Sequence, residues 1–219
     1  MCIRDSFQNW SEVYAHTNEH GKLIQDKAQP GDIRFKDLNH DGVLDENDKT
    51  WIGNPYPDLM VGLNLGFNYK NFDFTANFYG TLGNDIFNKT KGLYSGVSGQ
   101  NVWAGTLEKA WHGEGTSNDI PRLSYNQNYT RVSSFFVEDG SYMRCKLLQV
   151  GYTLPKKLLR GTELRLSFSA QNPFTITGYS GMDPERPQIG NDGSVIETGI
   201  DGIAYPNPRT FLFGIDFKF

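Results

Sequence analysis

Long apolar runs are missing from this sequence. Nowhere do about 18 consecutive apolar residues occur, so it encodes no transmembrane helix. Cysteine is scarce too. Cys2 and Cys145 supply neither a disulfide framework nor a metal-ligand spacing, and Cys145 falls in a strand-like segment as a small apolar filler. Positive charge is in deficit, 21 Lys and Arg against 25 Asp and Glu, which leaves no clustered basic face for nucleic acid. A Gly-rich phosphate loop, a Ser/His/Asp constellation and a catalytic carboxylate pair are all lacking, so nothing supports an enzymatic reading. Residues 1–6 have no apolar signal-peptide core and read as a non-native start to the C-terminal piece of a longer protein.

What the sequence does have is glycine, 24 residues, and aromatics at 14% within a hydrophobic content of only 37%. That mixture suits short strands with one apolar face. Leu59 to Tyr69 places Val61, Leu63, Leu65, Phe67 and Tyr69 on one face, against Gly62, Asn64, Gly66 and Asn68. Lys70-Asn71 reads as a tight hairpin connector, after which Phe72 to Leu82 alternates again. A third strand is expected over 142–153, with a bulge at the Leu147-Leu148 doublet, and a fourth over 163–172. The fifth is the terminal run, whose row Phe211, Phe213, Ile215, Phe217 and Phe219 opposes Leu212, Gly214, Asp216 and Lys218.

The connections alternate short (70–71), long (83–133), short (154–162) and long (173–207), as successive strands of an outer-membrane barrel do between periplasmic turns and extracellular loops. A strand of this length rises about 36 Å, or roughly 25 Å at a tilt of about 45°, close to the hydrocarbon thickness. The fold class expected is therefore all-β: about five antiparallel strands with long extracellular loops, the C-terminal portion of a larger transmembrane barrel. Five strands cannot close around a lumen, so partner strands lie outside this sequence, the barrel's first strand among them. The rival is a soluble β-sandwich, and functionally a secreted, calcium-stabilised carbohydrate-binding β-module.

Ahead of the strands, 7–58 reads as an extracellular loop segment, with 59–219 as the barrel part. Within it Asp37-Leu38-Asn39-His40-Asp41-Gly42-Val43-Leu44-Asp45-Glu46-Asn47-Asp48 fits the D-x-N-x-D-G calcium-loop pattern. Calcium is a hard cation that takes oxygen ligands. Asp37, Asn39 and Asp41 would supply side-chain oxygens and Val43 its carbonyl. Asp45 would act directly or through water, and Asp48 would close the site in place of the usual longer Glu. No helices flank the loop, so the ion would clip the structure rather than switch it. Without an ion the same residues make an acidic turn held by Asx hydrogen bonds.

Other motifs have bland readings. His16-Thr17-Asn18-Glu19-His20 matches a zinc-peptidase string, but Asn18 and Gly21 break the helix that chemistry needs. Residues 102–111 show helical spacing inside the long loop. Asp183 and Glu185 read as solvated loop acids.

Taken in order, these segments resemble the C-terminal part of the SusC/RagA family of TonB-dependent outer-membrane transporters. The resemblance is carried by Pro30 to Asp48, Ile52-Gly53-Asn54-Pro55 with Pro57-Asp58, Gly83-Asn84-Asp85-Ile86-Phe87-Asn88, Phe136 to Arg144, Gly151-Tyr152-Thr153-Leu154-Pro155, Gln171 to Thr177 and the terminal strand. His40 stands where the family commonly has Gly, and Cys145 and Leu147 where Leu and Asn are usual. The resemblance implies a roughly 22-stranded barrel with an N-terminal plug. It implies import of oligosaccharides or peptides, driven by the TonB complex through parts outside this sequence, with a SusD-like lipoprotein as lid. It also implies that the row ending in Phe219 faces outer-membrane lipid and is read by the barrel-assembly machinery. Loops 83–133 and 173–207 would face lid or substrate, with Tyr179, Asp183, Arg186 and Tyr205 as candidate contacts.

Overall fold

A computed structural model describes residues 3–91, 102, 104–124, 131–155, 157, 161–185, 198–202 and 205–218. Eleven strands run along the described chain: β1 (Ile3–Ser6), β2 (Ile33–Phe35), β3 (Leu59–Tyr69), β4 (Phe72–Leu82), β5 (Asp85–Asn88), β6 (Val137–Asp139), β7 (Tyr142–Thr153), β8 (Glu163–Gln171), β9 (Thr175–Thr177), β10 (Ile200–Asp201) and β11 (Thr210–Lys218). Two short helices accompany them, α1 (Trp10–Ala15) and α2 (Thr106–Lys109). The chain divides into two compact units, one of Met1–Asn54, Ile86–Glu138 and Ile200–Ile203, the other of Pro55–Asp85, Asp139–Gly199 and Ala204–Phe219.

In the first unit β1 and β2 pair antiparallel. Ile33 and Phe35 point into a small core with Leu44 and Phe135, while Phe7, Val13 and Ala28 form a second. So few buried side chains need polar staples. Gln25 supplies one by donating to the Ile33 carbonyl at 3.0 Å and accepting from the Phe35 N–H at 2.8 Å, which substitutes for a neighbouring strand. Asp32 and Arg122 supply another, a two-pronged ion pair at 2.6 and 3.3 Å. α1 starts at Asn9, whose side chain accepts from the Glu12 N–H at 3.0 Å.

The second unit is an antiparallel sheet in the order β11-β8-β7-β4-β3, with β9 added on β7. Its register aligns the apolar rows of all five long strands. Phe67, Phe74, Val150, Phe168 and Phe213 lie side by side across the sheet, as do Tyr69, Phe72, Tyr152, Leu166 and Ile215. A third row runs Leu65, Ala76, Leu148, Ala170 and Phe211. Large members of these rows are open to the surroundings, Phe213 at 82% exposure, so among the described residues nothing covers this apolar face. The opposite face carries Asn64, Asn77, Asp73, Gln149, Ser167 and Ser169 in register.

The strand spans agree with the sequence reading to within a residue or two, and the two-residue hairpin at Lys70-Asn71 is present, with Lys70 at φ +54°. Three details differ. The bulge sits at Lys146, left unpaired between Cys145 opposite Phe78 and Leu147 opposite Asn77, one residue before the Leu doublet. The helix expected over 102–111 is reduced to α2, and Trp103 lies outside the described residues. Of the short strands only β2 is readable in the sequence, in the strand-like stretch 31–36 ahead of the acidic loop; two to four residues give too little alternation to recognise the others.

Candidate functional site

Alternation puts Asp73, Gly151, Arg165 and Asp216 on the polar face near the short connections. Arg165 crosses over Gly151 to Asp73, Nη2 donating at 2.7 Å and Nε at 3.1 Å, and reaches Asp216 on the next strand at 3.5 Å. β4, β8 and β11 are thereby tied from above, across β7, as well as through their backbone ladders.

A larger cluster lies at the opposite end of the same face. Arg144 on β7 is almost fully buried, and all three of its donor nitrogens are used. Nη2 donates to Asp183 at 2.5 Å, Nη1 to Glu185 at 2.5 Å and Nε to the Thr175 hydroxyl at 2.8 Å. Bulged Lys146 pairs with the other oxygen of Glu185. Asp183 also accepts the N–H of Glu185 at 3.0 Å and that of Asn207 at 2.9 Å. The guanidinium lies over Tyr142 and the Lys146 ammonium over Tyr79. Side-chain exposures of 4% for Arg144 and 2% for Asp183 remove this pair from water, which such charges tolerate only when fully bonded. Burial disfavours the Asp183 carboxylate, but Arg144 and the two backbone N–H groups outweigh it and hold its pKa below the usual range.

In the first unit the acidic loop is closed by its own backbone. Asp37 accepts from the N–H groups of His40 at 2.7 Å and Gly42 at 2.8 Å. Asp48, fully buried, accepts from Leu38 at 2.8 Å and Asp45 at 2.9 Å. Burial works against its charge, yet these N–H groups keep its pKa low. Asn39 accepts from the Asp41 N–H, Asp41 from that of Val43, and Asp45 from that of Asn47. Gly42 turns the chain at φ +80°, where a Cβ would also lie 2.3 Å from Asn18. Among the described residues no three His, Cys, Asp or Glu side chains converge as a metal cage. Beside this loop is a cavity of about 960 Å³ lined by His16, His20, Arg34, Lys36, Asp37 and His40, among others. His16 caps the end of α1 and Thr17 bridges to Leu23, so the two histidines do not share a helical face.

The loop candidates separate. Asp183 and Tyr179 are buried, whereas Tyr205 is 78% exposed; Arg186 and Phe219 lie outside the described residues. The reading of Asp183 and Glu185 as solvated acids is corrected, since both serve Arg144. Sequence reasoning missed Arg144, Lys146, Arg165 and Asp73. The available signal was a charged residue at a polar-face position of a strand, which marks where a partner is needed but not which loop supplies it.

The comparisons agree with this architecture. The chain is 39% identical over 197 residues to TonB-dependent receptor P3 of Formosa agariphila, covering 88% of this chain and 19% of that protein. With TonB-dependent receptor SusC of Bacteroides thetaiotaomicron it is 29% identical over 98% of this chain and 19% of the relative. Among solved structures, the RagAB peptide importer in its closed-closed state matches 97% of this chain and 22% of its own, with a TM-score of 0.62 at 19% identity. The RagAB peptide transporter gives a TM-score of 0.58 at 24% identity over 74% of this chain and 17% of its own. No protein-family model matches. The chain spans about a fifth of the length of the curated relatives it matches. By sequence and fold together, it belongs with the SusC/RagA-type TonB-dependent receptors.

Proposed function

We propose that this chain forms part of the wall of an outer-membrane import barrel. The observation that carries this reading is the register. Five strands present one unbroken apolar face to the outside, while the opposite face is polar and bridged by ion pairs. A lipid-facing exterior around an aqueous lumen requires that division. The whole transporter would import oligosaccharides or peptides, take energy from the TonB complex through parts outside this chain, and work with a SusD-like lipoprotein at its mouth. Exposed Tyr205 is the loop candidate for contact with lid or substrate. The outward row of β11, ending in Phe219, would serve the barrel-assembly machinery.

Single cysteines in the full-length protein, in a background with Cys2, Cys145 and any other cysteine replaced by Ala, test the reading in intact outer membranes. Phe213→Cys is expected to react with a lipid-soluble maleimide and not a charged one, and Ser169→Cys with the charged one. The reverse pattern, or a water-soluble folded monomer without detergent, would favour the secreted β-module instead.

We also propose that the 37–48 loop takes a structural calcium ion through Asp37, Asn39, Asp41, the Val43 carbonyl, Asp45 and Asp48. In support, the backbone N–H groups already orient Asp37 and Asp48, and each carboxylate oxygen that accepts one such bond keeps a lone pair for a cation.

A further inference from the structure

Arg144 gathers groups from two stretches far apart in the chain. Thr175, Asp183 and Glu185 precede the stretch 186–204, and Asn207 follows it. Asn207 is held twice, its N–H on Asp183 at 2.9 Å and its side-chain amide on Glu185 at 3.4 Å. Further pins are local: the Thr177 hydroxyl donates to the Ser141 carbonyl at 2.8 Å, and the Asn172 amide to the Pro208 carbonyl at 3.2 Å. Apart from Asn172 and Ser141, every bond in the set runs through one guanidinium or through a carboxylate paired with it. Among the described residues, Asp183, Glu185 and the Tyr142 phenol face that guanidinium, and Lys146, itself over Tyr79, shares Glu185 with it, so two cations face two carboxylates.

We infer that Arg144 is a positioning residue for the connection between β9 and β11. It joins 178–185 and 205–208 into one ion-paired unit docked on the polar face, so that both feet of the connection are held or released together. This rests on the barrel reading for its meaning, because only there do these feet stand at the mouth of the lumen. Cooperativity follows from the wiring. Asn207 is held through Asp183 and Glu185, so freeing those carboxylates loosens the distant foot as well.

The test is amide hydrogen exchange on the full-length transporter in detergent, comparing Arg144→Gln with the parent. Exchange at Glu185 and Asn207 is expected to rise at least tenfold and in parallel, while β3 and β4 keep the parent rates. Unchanged rates at both amides, or a rise at Glu185 alone, overturn the inference. So does an equal rise in β3 and β4, which would make Arg144 a general fold residue. If Arg144→Gln fails to assemble, Glu185→Gln is read in the same way, with a smaller parallel rise expected and unchanged rates decisive against. Cysteine labelling of Phe213 and Ser169 on the same preparations reports the barrel reading separately.

Discussion

Arg165 holds Asp73 across the bare backbone of Gly151, by two hydrogen bonds of 2.7 and 3.1 Å. A Cβ on Gly151 would lie 2.3 Å from Asp73 Oδ1 and 2.5 Å from Arg165 Nη2, so any side chain there must break the bridge or push it aside. Gly151→Ala is expected to lower the stability of the assembled protein by about 1–3 kcal/mol, the usual cost of overpacking. Urea titration measures it. In an Arg165→Gln background the same substitution should cost less, since the bridge is already gone; an undiminished cost would place the clash elsewhere.

Charge on the two faces should have opposite consequences. Phe213→Arg puts a cation on the outward row and is expected to destabilise the barrel in lipid by about 2–4 kcal/mol near mid-depth. Ser169→Arg, on the polar face of the neighbouring strand, should stay within about 0.5 kcal/mol of the parent. Equal losses in reversible unfolding from vesicles would contradict the assignment of faces.

Calcium gives a direct thermal readout. If the 37–48 loop binds the ion, saturating calcium should raise the melting temperature over an EDTA control, with a stabilisation of about 2.7 kcal/mol at a hundredfold excess over Kd. Asp37→Asn should abolish most of that rise. Identical melting curves with calcium and EDTA would leave the loop closed by its Asx hydrogen bonds alone.

Acid should release the feet of the β9–β11 connection. The Asp183 pKa is lowered in the folded state, so its contribution to stability is complete above the ordinary aspartate value of about 4 and is lost as pH falls through the lower folded value. Amide exchange at Asn207, corrected for its intrinsic pH dependence, should be flat from about pH 7 to pH 5 and rise only below about pH 4. A rise beginning near pH 6 would show that another group controls the contact.

Much of the sheet was legible in the sequence because period-2 alternation over nine or more residues has no competing explanation. Leu59 to Tyr69 and Thr210 to Lys218 were readable on that ground alone. The bulge was legible only as a disturbance. Leu147-Leu148 shows that the period breaks nearby, but the extra residue is Lys146, because pairing with Asn77 and Phe78 decides it. The ionic clusters were not legible. Strand pattern places Arg144 and Arg165 on the polar face, yet their partners Asp183, Glu185 and Asp73 are 39 to 92 residues away, and no local signal carries that pairing.

The unpaired Lys146 also sets what lengths this strand can have. Up to Cys145 one parity rules, and from Leu147 the other, so each half presents its apolar residues to the same side only because one residue stands between them. Deleting that residue would turn one half over: either Arg144 would leave Asp183 for the apolar side, or Tyr152 and Val150 would turn inward and Gly151 outward. Insertions and deletions here are therefore tolerable only in pairs, and a single-codon deletion should be far more damaging than any substitution of the lysine itself.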